Sequence, residues 1–353
     1  MSASTMSPTI AQEEQIYLEE WMHSSRLLFY SVICISMFAL PILALSLCYI
    51  RCTAMHNVHF LPYLCSILVA NFVLLATLFT SVVAKNTEMV YDAIPGFLVC
   101  ELTAFLVNAS SCFIHWTWVA MFAERCFYIY SPLRFRVHSS FRTKAVIFGI
   151  LIFSMCIQFW IPIFITEKRL NGQMDNIYCG EEPSHSSQTQ LIMTFDSICT
   201  FFLPLILTIL ADISIFTWRS SWGISFDLVP REELRGKSSD NMKIVSLKSV
   251  RNSERRRVNA IRRCLISATI TLFLNLPNYS LQLSDEFFNF RESASIDVRR
   301  VFLRIDAFVY ILYLMQFPIT PIHIFTLSRT STRRASRQFR APNLQRLVQR
   351  TSS

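Results

Sequence analysis

Apolar residues run along this chain in long unbroken blocks, with neither the alternation of a half-buried strand nor the one-sided stripe of a surface helix. Seven blocks stand out: Leu27–Ile50, Phe60–Ala84, Phe97–Ala123, Ala145–Ile165, Gln190–Thr217, Cys264–Leu283 and Val301–Phe325. A helix needs roughly 20 apolar residues to cross the ~30 Å hydrocarbon core of a bilayer. One such block could be a buried helix of a soluble domain. Seven in series predict an all-α fold, a seven-transmembrane helix bundle. Pro41, Pro162, Pro204, Pro277, Pro318 and Pro321 fall inside the blocks. Membrane helices tolerate proline where neighbouring groups re-satisfy the freed carbonyl. A few charges interrupt the blocks: Glu101, Asp196, Asp212, Arg304 and Asp306. An ionisable side chain at membrane depth is costly, so each is expected to face the bundle interior or water.

Composition supports this picture. Of 353 residues, 52% are hydrophobic and only 16% charged, against about a quarter charged in soluble domains. Thirty Phe exclude a disordered chain. Six Gly argue against a transporter of broken, repeated helices, the alternative of a different class. The net charge of +9 would suggest a nucleic-acid partner, but the position of the charges argues otherwise. Segments 1–25, 85–96, 166–189 and 284–300 together carry −8, whereas 51–59, 127–144, 218–263 and 326–353 carry +19. The positive-inside rule then places the N-terminus outside and the C-terminus in the cytoplasm. The expected organisation is an extracellular arm (1–26), a transmembrane domain (27–325) with a long basic third cytoplasmic loop (218–263), and a basic tail (326–353). The arm lacks the apolar core of a signal peptide, so the first helix is expected to direct insertion into the plasma membrane.

Of eleven Cys, Cys100 and Cys179 alone fall near the outer face away from helix interiors. The exterior is oxidising, so these two can pair; the alternative is two free thiols. No spacing suggests zinc or another cofactor, and no His/Asp/Ser cluster suggests a hydrolase. The chain is read as having no metal and no enzymatic activity.

Glu124-Arg125-Cys126, followed by Ser131-Pro132-Leu133-Arg134, resembles the Asp/Glu-Arg-Tyr motif and trailing Pro-Leu of rhodopsin-like (class A) G-protein-coupled receptors. In that family the disulfide cysteine precedes the motif arginine by 25 residues, as Cys100 precedes Arg125. Ser66–Asn71 resembles the helix-two segment, Pro204 and Pro277 match the helix-five and helix-six prolines, and Thr320-Pro321-Ile322-His323-Ile324 is similar to an eroded NPxxY. The likeness covers residues 27 to about 340, and the Phe-rich, eroded pattern is similar to divergent invertebrate, especially nematode, receptors. It implies an extracellular ligand, a heterotrimeric G protein as partner, and arrestin and a receptor kinase as further partners. Glu124 would hold Arg125 at rest and release it to the G protein, while Pro132, Pro204, Pro277 and Pro321 mark the moving elements.

The departures carry information too. The family's sodium-binding Asp is Asn71 and its helix-three Ser aligns with Ile114, so no sodium effect is expected. The helix-six Trp switch is Asn275. Asp212 stands where the family has the helix-five Tyr and is expected to pair with Arg125; the alternative is a carboxylate snorkelling to the cytoplasmic interface. Val107 replaces the aminergic Asp, and helix seven has no Lys for retinal. Asp196, Asp306 and Glu101, with Glu181 and Glu182 after Cys179, form an acidic vestibule that favours a short basic neuropeptide. A small chemosensory molecule is the runner-up. Asn108, Ser111, Asn278, Tyr279 and Tyr310 fall at pocket positions of the family, and helix–helix packing is the bland reading of each. Asp306 could instead pair with Arg304 or another nearby base. His115, Trp116 and Trp118 form a compact group of which only one or two can face inward, and the two Trp are read as packing or lipid-facing. Ser336, after Arg333-Arg334-Ala335, fits a basophilic kinase. The tail has no Cys for a palmitoyl anchor, so membrane lipids are met through its Leu, Phe and Arg residues.

Overall fold

The computed structural model describes residues 8–52, 61–86, 97–130, 140–169, 177–181, 186–211, 268–288 and 295–322, with a few isolated positions between them. The apolar blocks are helical. α1 runs Pro8–Cys52 and α2 Leu61–Asn86. α3 opens with a π-turn at Leu98–Leu102 and continues through Thr103–Tyr130. α4 spans Ser140–Ile157, tightens to a 3₁₀ turn at Gln158–Trp160 and ends at Ile161–Phe164. α5 comprises Ser186–Ser197, a π-turn at Ile198–Phe202, and a helical run on to 211. Residues 268–288 form α6, and α7 is Ile296–Leu314 with a helical continuation at 316–322. Among the described residues, six helical stretches are long and apolar enough to cross a membrane: Glu19–Cys52, Leu61–Ala84, Leu98–Glu124, Phe141–Phe164, Leu191–Ala211 and Ile296–Ile322.

Two features depart from the expected pattern. Residues 8–26, read as an arm, continue α1 outward. At 1.5 Å per residue, a helix of 45 residues is roughly 68 Å long, more than twice the hydrocarbon thickness. The all-α bundle also carries a hairpin between α4 and α5. β1 (Ile165–Arg169) pairs antiparallel with β2 (Ile177–Glu181), Glu167 opposite Cys179.

The surface identifies the solvent. Tyr30, Met37, Phe38, Leu45, Phe148, Phe159, Ile206, Leu210 and Phe273 are all exposed. Soluble monomers rarely expose contiguous apolar patches beyond a few hundred Å², whereas lipid tails receive such side chains without cost. The chain is a helical, multi-pass membrane-type protein.

Inside, the larger apolar cluster joins α1, α2, α3 and α7, through residues such as Leu43, Leu68, Trp118 and Phe317. A smaller one, Phe201, Leu272 and Tyr279, joins α5 to α6. α3 contacts α2, α4 and α5 and so forms the axis of the bundle.

Candidate functional site

Proline determines the chemistry at the middle of α5. In the π-turn, the Leu203 N–H bonds to the Ile198 carbonyl. An α-turn would have sent it to the Cys199 carbonyl. The π-type donor for Cys199 would be residue 204, as would the α-type donor for Thr200, and Pro204 has no N–H. A single proline therefore leaves neighbouring carbonyls short of donors at membrane depth, where an unsatisfied group costs several kcal/mol.

Two consecutive residues of α3 answer this. His115 Nδ1 donates to the Thr200 carbonyl at 3.0 Å, and Trp116 Nε1 donates to the Cys199 carbonyl at 3.1 Å. With Nδ1 carrying the proton, the neutral ring leaves Nε2 as an acceptor. Asn275 of α6 donates its Nδ2 there at 3.2 Å. His115 thus joins α3, α5 and α6 while being only 2% exposed. Aromatic rings enclose it. Phe201 and Tyr279 stack 4.3 Å apart at 9°, and the imidazole meets both edge-on at 5.4 and 5.8 Å. One turn earlier on α3, Ser111 and the Tyr279 hydroxyl are 2.7 Å apart, adding a second α3–α6 bond.

The same layer extends to α4. Gln158 Nε2 donates to Asp196 Oδ1 and, at 3.0 Å, to Thr200 Oγ1; the Thr200 hydroxyl donates in turn to Asp196 Oδ1 at 2.8 Å. Neutral donors thus compensate the carboxylate within the helix interface. Gln158 Oε1 and Asn275 Oδ1 are buried with no hydrogen-bond partner among the described residues. An unmet buried acceptor costs ~1–3 kcal/mol, so this layer retains unused bonding capacity.

The expected site residues divide accordingly. Ser111, Tyr279 and Asp196 meet in or beside this layer, and Pro204 shapes it. Asn108 bonds back to the Ala104 carbonyl of its own helix at 2.9 Å. Asn278 is buried in α6, Pro277 lies within that helix, and Pro321 lies in the helical continuation of α7. Tyr310 packs against Tyr313, rings 5.8 Å apart. Glu101 is half-buried in the first turns of α3, and Asp306 is half-buried in α7. Arg304, one of the bases considered for Asp306, pairs with Glu20 of α1, as does Arg300 at 2.8 Å. Cys100 is disulfide-bonded, and β1 contacts the π-turn that holds it. Asn71 donates to the Ile67 carbonyl at 2.8 Å, and Ile114 lies in the apolar core. Asp212, Pro132 and Ser336, and the side chains of Arg125 and Cys179, lie outside the described residues.

Trp118 lies in the core and Trp116 packs on Phe153, but sequence reasoning missed that His115 and Trp116 cap carbonyls of α5. A proline one helix away supplied the missing signal, since the carbonyls it frees require donors from a neighbour.

Comparison with known proteins yields no matching family model and no matching curated protein.

Proposed function

We propose that this chain is a rhodopsin-like G-protein-coupled receptor of the plasma membrane, with α1 to α7 as its seven spans, an extracellular N-terminus and a cytoplasmic tail. One observation carries the reading. His115 holds α3, α5 and α6 together beside Pro204, at the level where the family's activation rearranges those three helices. In this receptor the His115–Asn275 bond takes the place of the Trp switch, because two hydrogen bonds on one imidazole can be exchanged without repacking a large ring. The half-satisfied amides of Gln158 and Asn275 can accept new partners in a second arrangement. Ligand binding above the layer shifts its equilibrium, and α6 transmits the change to the cytoplasmic face.

Cys100 pairs with Cys179, tying the hairpin to the top of α3 and shaping the vestibule. The ligand is a short basic peptide, favoured by outer segments that sum to −8. Arg125 receives the G protein, with Asp212 as its resting partner. The test is recruitment of an engineered minimal G protein to the full-length chain in cells. Arg125→Ala abolishes recruitment at equal surface level if the reading holds; unchanged recruitment, or none by the unaltered chain with any of several G-protein classes, rejects it.

A further inference from the structure

Between the outer ends of α1 and α7 lies a groove of about 590 Å³, within the roughly 300–1,000 Å³ range of small-molecule sites. Its lining is graded along the helices. At the outer end sit Glu20, Arg300 and Arg304; deeper in are Leu27, Phe308 and Ile311. Arg300 and Arg304 are four residues apart, so both guanidiniums project from one face of α7. Each engages Glu20 through Nε, one on each carboxylate oxygen. A guanidinium has five N–H donors in a planar fork. The Arg304 side chain is 65% exposed and, among the described residues, bonds Glu20 alone, through Nε, which leaves its terminal nitrogens for a ligand.

The gradient from charge to apolar surface runs in the sense of a bilayer interface: α1 enters its apolar block at Leu27, Arg300 precedes that of α7, and Arg304 stands about one turn inside it. We propose that this groove binds a membrane lipid. Its headgroup phosphate lies between Arg300 and Arg304, and an acyl chain runs along Leu27, Phe308 and Ile311. The occupant is a lipid and not a free phosphate, because most of the groove below the arginines is apolar and opens toward the bilayer. Guanidinium forks match phosphate oxygens in a bidentate manner. Glu20 competes for the same donors and acts as a built-in ligand in the empty groove. The proposal rests on membrane placement and not on the receptor reading, so Arg125→Ala leaves it intact.

The test is native mass spectrometry of the full-length protein in detergent micelles, titrated with phosphatidylglycerol, with diacylglycerol, and with glycerol phosphate as a competitor. One phosphatidylglycerol is expected to bind in preference to diacylglycerol. The double substitution R300Q/R304Q weakens it at least about tenfold, the effect of losing charge-assisted bonds. Glu20→Gln strengthens binding several-fold by releasing both forks. Leu27→Trp narrows the apolar floor and weakens binding with every charge in place. Phosphatidylglycerol affinity unchanged in R300Q/R304Q overturns the proposal, as does equal binding of diacylglycerol or displacement by millimolar glycerol phosphate. Should the arginine variant fail to fold, Glu20→Gln and Leu27→Trp decide: unchanged affinity in either one rejects the site.

Discussion

The two sides of α3 use polar groups in opposite ways. Toward α1, α2 and α7 the interface is mainly apolar, and several of its hydroxyls and amides bond within their own helices. Ser66 bonds to the Pro62 carbonyl, Asn71 to Ile67 and Thr117 to Phe113, each four residues back. Toward α4, α5 and α6 the bonds cross between helices, through Gln158–Asp196, His115–Thr200, His115–Asn275 and Ser111–Tyr279. Local bonds persist however neighbouring helices move, whereas crossing bonds record a relative position and can be exchanged for another set. In lipid there is no hydrophobic drive between helices, so packing and interhelical bonds determine which arrangement prevails. On the proposed function, the α1–α2–α3–α7 side remains in place and the α5–α6 side exchanges its bonds for another set.

The largest expected effect probes the static side. Trp118→Ala empties a fully buried site in the apolar cluster and should cost ~3–5 kcal/mol, read as a fall in thermal stability in detergent. Next comes the junction itself. His115→Leu leaves the Thr200 carbonyl and the Asn275 amide unpaired, at ~1–3 kcal/mol for each group stranded. The sharper measurement is a cycle with Pro204→Ala, which restores an N–H to α5. In that background His115→Leu should cost less by about 1 kcal/mol, a coupling of the size seen between contacting residues. Strict additivity would mean that the imidazole does not cap the freed carbonyl. Tyr279→Phe removes only the bond to Ser111 and should cost ~0.5–1.5 kcal/mol. Smallest is Thr80→Val, whose hydroxyl bonds only its own helix at Ala76; stability should stay within about 0.5 kcal/mol.

Much of the architecture was legible in the sequence, because block length and bilayer thickness are the same constraint viewed from two sides. The block at 60–84 became the helix at 61–86. Pro204 foretold a loosened α5, and the π-turn lies immediately before it. Hydropathy missed what does not depend on it. Residues 8–26 are polar but rich in Glu and Gln, and they form helix by propensity. The role of His115 depends on partners 85 and 160 residues away, which no local pattern encodes. Glu20 was likewise only part of an acidic arm until α7 placed two arginines against it.

The central claim concerns motion confined to one side of α3. On the proposed topology and coupling, spin labels at the cytoplasmic ends of α3 and α6, and a second pair at those of α1 and α2, can be compared with and without a bound minimal G protein. The account predicts a longer α3–α6 distance with the α1–α2 distance unchanged. An unchanged α3–α6 distance, or an equal change in both pairs, would contradict it.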